Sequence, residues 1–129
     1  MKNAMLPNVP LKFYVPVAIV FYPFPIHYLR IATVDTYRKS VSRILNSLQE
    51  NEYRTISDVL NASLEDLGKA RNFGERGKSL LLELLQKICD QPDLVLETGK
   101  LEHKLREEVE RITRKEPIRK QLYDMGLIK

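Results

Sequence analysis

The clearest chemical signal in this sequence is anion binding by a turn between two predicted helices. Residues 66–74 read Asp-Leu-Gly-Lys-Ala-Arg-Asn-Phe-Gly, and a leucine-rich stretch follows them. A glycine before a helix lets a ligand approach the backbone, and the first amides of the helix carry the positive end of its dipole. Arg71, Arg76 and Lys78 flank the turn and can add charge-assisted hydrogen bonds. The pattern predicts a phosphate site, and we expect the hairpin geometry to require Gly74 whatever it binds.

Catalytic and metal-binding patterns are weak by comparison. The single cysteine, Cys89, and the two histidines, His27 and His103, lack the spacing of metal ligands. Gly77-Lys78-Ser79 resembles the end of a phosphate-binding P-loop, but the earlier glycine that such a loop needs would fall on Asn72. Neither a nucleophile–base pair nor a carboxylate cluster stands out. We therefore expect no enzymatic activity, no metal and no cofactor.

Short helices are predicted to position the turn. Apolar residues at 41, 44, 45 and 48 predict a helix that begins at Asp35 or Thr36 and ends at Leu48. Two matches to the [ST]-x-x-[DE] capping pattern, at 55–58 and 63–66, predict two very short helices at 56–61 and 64–69, since the second cap must leave helical geometry. After a break at 71–77 that holds two glycines, a longer helix is expected at about 77–89.

Compositional changes divide the sequence into three segments. Residues 1–28 hold five of the seven prolines and many aromatic residues, and a short or edge strand is expected at 17–22. Residues 29–90 are the predicted helical domain. Residues 91–129 form an extension with a charged amphipathic helix from about residue 98 and a last short helix between Pro117 and Gly126. The predicted fold is all-α, a compact bundle of short helices with an irregular N-terminal segment and a helical C-terminal extension.

The net charge favours an anionic partner held by a few groups rather than by bulk charge. The total of +4 divides into +2, +1 and +1 over residues 1–36, 37–90 and 91–129, so there is no polybasic tail. The longest apolar run, residues 15–24, is interrupted by two prolines and falls short of the roughly 20 residues that span a bilayer. We expect no membrane partner and a cytoplasmic location.

Four stretches together match a known pattern: Pro25-Ile26, Arg43-Ile-Leu-Asn46-Ser-Leu48, Thr55-Ile-Ser-Asp58-Val-Leu60 and Arg71-Asn72-Phe73-Gly74. With them, residues about 25–90 resemble the C-terminal domain of the bacterial RNA polymerase alpha subunit. The resemblance implies a helix-hairpin-helix domain that binds double-stranded DNA, either A·T-rich or without sequence preference, in transcription. It also implies contacts with RNA polymerase or sigma-type transcription proteins.

The resemblance further implies which residues contact DNA. The family's first helix directs an arginine and an asparagine toward the minor groove and nearby phosphates, at positions that correspond to Arg43 and Asn46. Gly74 corresponds to the hairpin glycine. An ungapped match, which keeps Leu81, Leu84 and Leu85 on the core face, assigns the next contacts to Arg76 and Gly77; a two-residue insertion assigns them to Lys78 and Ser79. The implied DNA-binding set is Arg43, Asn46, Arg71, Gly74, Arg76, Gly77, Lys78 and Ser79.

Other readings of the same residues stay open at this point. Arg43 is otherwise a surface arginine, and Asn46 otherwise caps a helix or satisfies a loop. Glu75 beside the phosphate site and the small net charge are consistent with a protein–protein module of this fold that binds a polymerase or sigma-type partner. A third function is a helix-hairpin-helix accessory to a nuclease or DNA repair enzyme, although no catalytic constellation accompanies it here.

Overall fold

Helices and 3₁₀ turns make up the secondary structure in the computed structural model, which describes residues 6–129; the first five residues of the predicted N-terminal segment lie outside it. The described residues form no strands, only two isolated bridges. The α-helices are α1 (Arg38–Glu50), α2 (Ile56–Leu60), α3 (Leu64–Leu67), α4 (Glu75–Asp90), α5 (His103–Thr113) and α6 (Glu116–Asp124). The 3₁₀ turns are Leu11–Phe13, Ile19–Phe21, Ile26–Ala32, Asp35–Tyr37 and Pro92–Lys100. The all-α prediction is confirmed.

Both predicted capping boxes are formed, at the starts of α2 and α3. The Thr55 hydroxyl accepts a hydrogen bond from the Asp58 amide at 3.2 Å, and the Asp58 carboxylate accepts one from the Thr55 amide at 3.0 Å. Ser63 and Asp66 make the same exchange at 3.1 and 3.0 Å, and these bonds hold the pKa of Asp66 below its ordinary value. The boxes confirm two short helices, which end earlier than predicted.

The N-terminal segment forms no strand within its described residues, so the strand prediction for 17–22 is wrong. The carbonyls of Phe24 and Tyr22 instead accept hydrogen bonds from the first amides of α2, at Ile56 and Ser57, both at 3.0 Å. Prolines on both sides of the stretch remove donors that a strand ladder needs. The backbone of this segment therefore completes the cap of a helix that is too short to be stable alone.

Aromatic side chains from the N-terminal segment lie at the centre of the core. Phe21, Phe24 and Tyr28 are fully buried, and their rings contact one another with centroids 4.8 to 5.8 Å apart. The same continuous core contains the leucine-rich face of α4 and residues of α1, α2, α3, α5 and α6. The division of the sequence at residues 28 and 90 stays a prediction.

The C-terminal extension differs from the prediction in where its first helix begins. The start of α5 lies at His103 rather than near residue 98, because residues 92–100 form 3₁₀ turns. The Glu102 carboxylate caps α5 by accepting a hydrogen bond from the Leu105 amide at 2.7 Å, and this bond lowers the pKa of Glu102. Glutamate is not among the preferred cap residues, so the capping pattern does not find this start.

The last helix agrees with the prediction at both ends. Pro117 lies in the first turn of α6, and Gly126 follows its end with a φ of +78°. Among residues 6–129, none of the helices has the length and apolar character needed to cross a bilayer.

A stability prediction comes from Tyr28, whose hydroxyl is buried without a hydrogen-bond partner among the described residues. Burial also raises the pKa of Tyr28. Because Tyr28→Phe removes the unsatisfied hydroxyl and keeps the ring contacts, we expect the free energy of unfolding to rise by about 1–2 kcal/mol in urea denaturation. Tyr28→Leu, the control that loses the ring, should lower it by about 2–4 kcal/mol. A less stable Tyr28→Phe protein would contradict this account.

Candidate nucleic-acid interface

Hydrogen bonds from Ser47 of α1 and from Asn51, which directly follows the helix, hold the backbone of the predicted phosphate turn. The buried Ser47 hydroxyl donates to the Arg71 carbonyl at 2.8 Å and lies 3.1 Å from the Asn72 carbonyl. The Asn51 side chain accepts a hydrogen bond from the Arg71 amide at 3.2 Å and donates one to the Arg71 carbonyl at 3.3 Å. The turn therefore has a fixed position against the C-terminal half of α1.

Asn72, not Gly74, takes the unusual backbone conformation in this turn. Asn72 has a φ of 58°, in the left-handed region that asparagine tolerates better than most residues. Gly74 has a φ of −99° and a ψ of −160°, which is extended backbone open to any residue. A Cβ atom at Gly74 would meet nothing within 4 Å. The expectation that the hairpin geometry requires Gly74 is therefore wrong, and neither conformation nor packing explains its lack of a side chain.

The start of α4 lies directly after Gly74 and has no side-chain cap. Side-chain oxygens cap α2, α3 and α5, whereas glycine at this position offers none. The first backbone-to-backbone bond of the helix runs from the Lys78 amide to the Gly74 carbonyl at 3.0 Å. The amides of Glu75, Arg76 and Gly77 precede it, in the turn where a helix leaves its N–H groups for an outside acceptor.

Gly77 lies inside this first turn rather than in the break before the helix, so α4 begins two residues earlier than predicted. A Cβ atom at Gly77 would come within 3.0–3.1 Å of the Phe73 ring and 3.5 Å of Ile44. The missing side chain thus allows the turn and α1 to pack closely, and Gly77 itself is buried. As the ungapped match requires, Leu81, Leu84 and Leu85 are buried.

The predicted α1 residues lie on the exposed side of the helix beside the turn. Arg43 precedes Ser47 by one helical turn, so the two side chains leave α1 about 40° apart. Asn46 leaves α1 about 60° from Arg43, on the side away from Ser47, and is also exposed. It lies inside the helix and not at a cap. Arg43 is therefore exposed one helical turn before the serine that holds the turn, and Asn46 is exposed on the flank that faces away from the core.

The basic residues of the turn differ in how free their charges are. Lys78 forms an ion pair with Glu75 at 2.9 Å, and its side chain is only 18% exposed, while that of Glu75 is 90% exposed. Arg71, Arg76 and Ser79 are exposed. No carboxylate among the described residues forms an ion pair with Arg71 or Arg76. These two arginines present free charge beside Gly74.

Sequence reasoning missed the two side chains that hold the turn, Ser47 and Asn51. A signal for Ser47 was present, because it is a polar residue on the face of α1 that carries Ile44 and Leu48. No group of three or more His, Cys, Asp or Glu side chains in residues 6–129 could hold a metal ion. Burial raises the pKa of Cys89, which is the opposite of what an activated thiolate needs.

Comparison with known proteins finds a similarity in the middle of the sequence. The family model that describes the C-terminal domain of the bacterial RNA polymerase alpha subunit matches residues 40–87. This stretch contains every predicted DNA-binding residue, together with Ser47 and Asn51, the two residues that hold the turn. The resemblance stated from the sequence is confirmed for 40–87, while Pro25-Ile26, which also contributed to it, lies outside the match.

Curated relatives agree over a similar length. A DNA-directed RNA polymerase subunit alpha from Chaetosphaeridium globosum is 48% identical over 46 residues, and those from Anthoceros angustus and Takakia lepidozioides are each 46% identical over 46 residues. The matched stretch covers 36% of this protein and 14% of each relative. No solved structure gives a significant match.

Removing the Ser47 hydroxyl should loosen the turn. In Ser47→Ala the Asn72 carbonyl loses its side-chain donor and the Arg71 carbonyl keeps only the longer bond from the Asn51 side chain, so we expect the free energy of unfolding to fall by about 1–2 kcal/mol. Amide hydrogen exchange should also become faster at residues 71–77 than elsewhere. Ser79→Ala, at an exposed serine on α4, is the control and should change neither quantity. Equal exchange rates in the two variants would show that the turn does not depend on Ser47.

Proposed function

We propose, from the premise that residues 40–87 form a domain of the bacterial RNA polymerase alpha C-terminal type, that this region is a non-catalytic DNA-binding module acting in transcription. In this proposal the amides at the start of α4 bind a backbone phosphate, and the α1 side chains Arg43 and Asn46 reach the adjacent minor groove. Contacts of this kind fix the module on the duplex with little reading of base sequence.

The observation that carries the proposal is the uncapped start of α4, formed by Gly74 and the backbone amides of residues 75–77. We call this feature the Gly74 corner. The fold gives no conformational or steric reason for a glycine there, and a capping side chain would stabilise α4. A residue that leaves helix amides uncapped and accessible suits a ligand that supplies the missing acceptor. Phosphate oxygens are such acceptors, and the helix dipole favours their negative charge.

The position of Arg43 supports a second contact on the same surface. Ser47, one helical turn after Arg43 on α1, binds the turn through its hydroxyl. The helix that carries the Arg43 guanidinium and the Gly74 corner therefore belong to one rigid unit. A guanidinium that enters a narrow minor groove meets enhanced negative potential there, which favours A·T-rich DNA. Asn46 can both donate and accept hydrogen bonds at a sugar, phosphate or base edge.

Among the basic residues near Gly74, Arg71 and Arg76 are better candidates than Lys78. Lys78 already pairs with Glu75, and its side chain is largely buried, so its ammonium is less available to a phosphate. Arg76 is exposed in the first turn of α4, and its planar guanidinium can bind two phosphate oxygens at once. This choice agrees with the ungapped match to the family.

The alternative function is a protein–protein module of the same fold, and Glu75 is the observation in its favour. Its carboxylate is almost fully exposed next to the first amides of α4, where it opposes a phosphate. Absence of DNA binding at low salt would favour this alternative. A role as accessory to a repair enzyme has no observation of its own in this structure.

Placing a carboxylate at the corner should separate folding from binding. Gly74→Asp adds a preferred N-cap residue, so we expect the free energy of unfolding to stay constant or rise by up to about 1 kcal/mol. The same carboxylate occupies and repels the phosphate site, so affinity for a labelled duplex should fall at least about tenfold in fluorescence anisotropy.

The matched control for this substitution is Gly99→Asp. Gly99 is also exposed, and a Cβ atom there would meet nothing within 4 Å, so the variant carries the same charge change at a second open glycine. It should bind the duplex nearly as well as the unmodified protein. If the two variants bind DNA equally, the corner at Gly74 is not the phosphate site.

Arg43→Ala should weaken duplex binding by about 5- to 150-fold, which corresponds to roughly 1–3 kcal/mol. Titrations at several salt concentrations should give a log–log slope of about −2 to −4 for the unmodified protein, and the variant should lose about one unit of it. A·T-rich and G·C-rich duplexes test groove preference. Arg111→Ala, at an exposed arginine on α5, is the control, and an effect as large as that of Arg43→Ala would remove Arg43 from the interface.

A further inference from the structure

A large cleft lies on the side of α1 away from the turn. Its volume is about 1360 Å³, and it is bordered by residues 25–35, by Arg38 and Gln49 of α1, and by residues 100–108. Arg38 precedes Ser47 by nine residues, or two and a half helical turns, so these side chains leave α1 in opposite directions. Most of the cleft lies outside residues 40–87, and the family match therefore does not account for it.

The cleft carries more positive than negative charge, with six basic and three acidic residues in its lining. Two of the basic residues already have partners: Arg38 pairs with Asp35 at 2.9 Å, and Lys100 with Glu97 at 2.6 Å. The other four form no ion pair with any carboxylate of residues 6–129; they are Arg30, Arg54, Lys87 and Lys104. We call this site the basic cleft.

Arg30 is held in a fixed orientation by neutral groups only. Its Nε donates to His27 Nδ1 at 3.2 Å, and its Nη1 donates to the Ser42 hydroxyl at 2.8 Å. His27 Nε2 is therefore the protonated nitrogen and donates to Gln49 Oε1 at 2.6 Å, while burial lowers the pKa of His27 and keeps it neutral at pH 7. Three of the five guanidinium N–H groups remain for a ligand. A half-buried cation without an anion is costly, and an incoming carboxylate relieves that cost.

We propose that the basic cleft binds an acidic segment of a partner protein, with one carboxylate on Arg30 and the rest along Arg54, Lys87 and Lys104. The cleft exceeds the roughly 300–1000 Å³ typical of small-molecule pockets, which favours a polymeric ligand. Its lining also contains apolar side chains that suit a peptide: Ile31, Val34, Val41, Leu101 and Leu105.

Carboxylates in the lining favour a peptide over nucleic acid. Asp35, Glu102 and Glu108 border the basic cleft, and the bond from the Leu105 amide lowers the pKa of Glu102 and keeps it ionised. A phosphate backbone carries a charge at every nucleotide and would meet these groups. A peptide can place its acidic residues opposite the cations and its apolar or neutral residues opposite the carboxylates.

The test is a titration of the full-length protein, without DNA, against short fluorescein-labelled peptides. The probe peptide alternates glutamate and leucine, and its control has glutamine in place of glutamate. We expect the glutamate peptide to bind by anisotropy at low salt, with an affinity that falls as salt rises. The glutamine peptide should bind at least about tenfold more weakly.

Charge reversal locates the binding in the cleft. The double variant Arg54→Glu/Lys104→Glu changes two exposed side chains and should lower the affinity for the glutamate peptide at least about tenfold. The control Lys120→Glu, on α6, should change this affinity less than about twofold. Unchanged binding by the double variant overturns the proposal, as does equal binding of the two peptides. A labelled single-stranded oligonucleotide that binds more tightly than the peptide, and that the double variant weakens, would overturn it in favour of nucleic acid.

A final arm adds saturating duplex DNA to the peptide titration. Because the Gly74 corner and the basic cleft lie on opposite sides of α1, peptide affinity should change less than about threefold. Displacement of the peptide by DNA would overturn the separation of the two sites. The peptide titration itself requires no DNA, so failure of the DNA-binding proposal would leave its outcome intact.

Discussion

The hydrogen bond from Ser47 to the Arg71 and Asn72 carbonyls is the interaction on which the proposed interface depends. It joins a helix and a turn that lie 24 residues apart in sequence. Gly77 also lets the turn pack closely against α1, because its missing side chain leaves room for the Phe73 ring. The helix that carries Arg43 and the amides that follow Gly74 are thereby fixed relative to each other before any ligand arrives.

The rest of the fold must stabilise helices that are short. Helices of four and five residues, such as α3 and α2, are unstable alone, so caps and a shared core must stabilise them. Their capping boxes satisfy some of the first-turn amides, and carbonyls of the N-terminal segment satisfy others. That segment also adds Phe21, Phe24 and Tyr28 to the core. The matched domain is small, and the added burial increases the fraction of apolar surface that it hides.

The sequence predicted those features that depend on residues close together along the chain. The capping boxes, the apolar face of α4 and the ends of α6 follow from residues within a few positions of each other. The role of residues 17–22 could not be predicted in this way, because the Tyr22 carbonyl bonds to the Ser57 amide of α2, far along the sequence. Gly74 and Gly77 look alike as letters, yet one faces open space and the other faces Phe73. Only tertiary contacts distinguish a glycine that packing requires from one that a ligand can use.

The two proposed sites share α1, and this arrangement limits how they influence each other. None of residues 6–129 lines both the turn and the basic cleft, and the helix between them is rigid, so there is no obvious two-state element that both ligands bias. Both ligands are anionic, however, and the thickness of a helix with its side chains, about 10–12 Å, separates them. This separation exceeds the screening length of about 8 Å at physiological ionic strength, so their mutual repulsion is small across the exposed faces. The geometry thus suits a module that holds DNA on one face and an acidic protein on the other, with each binding nearly independent of the other.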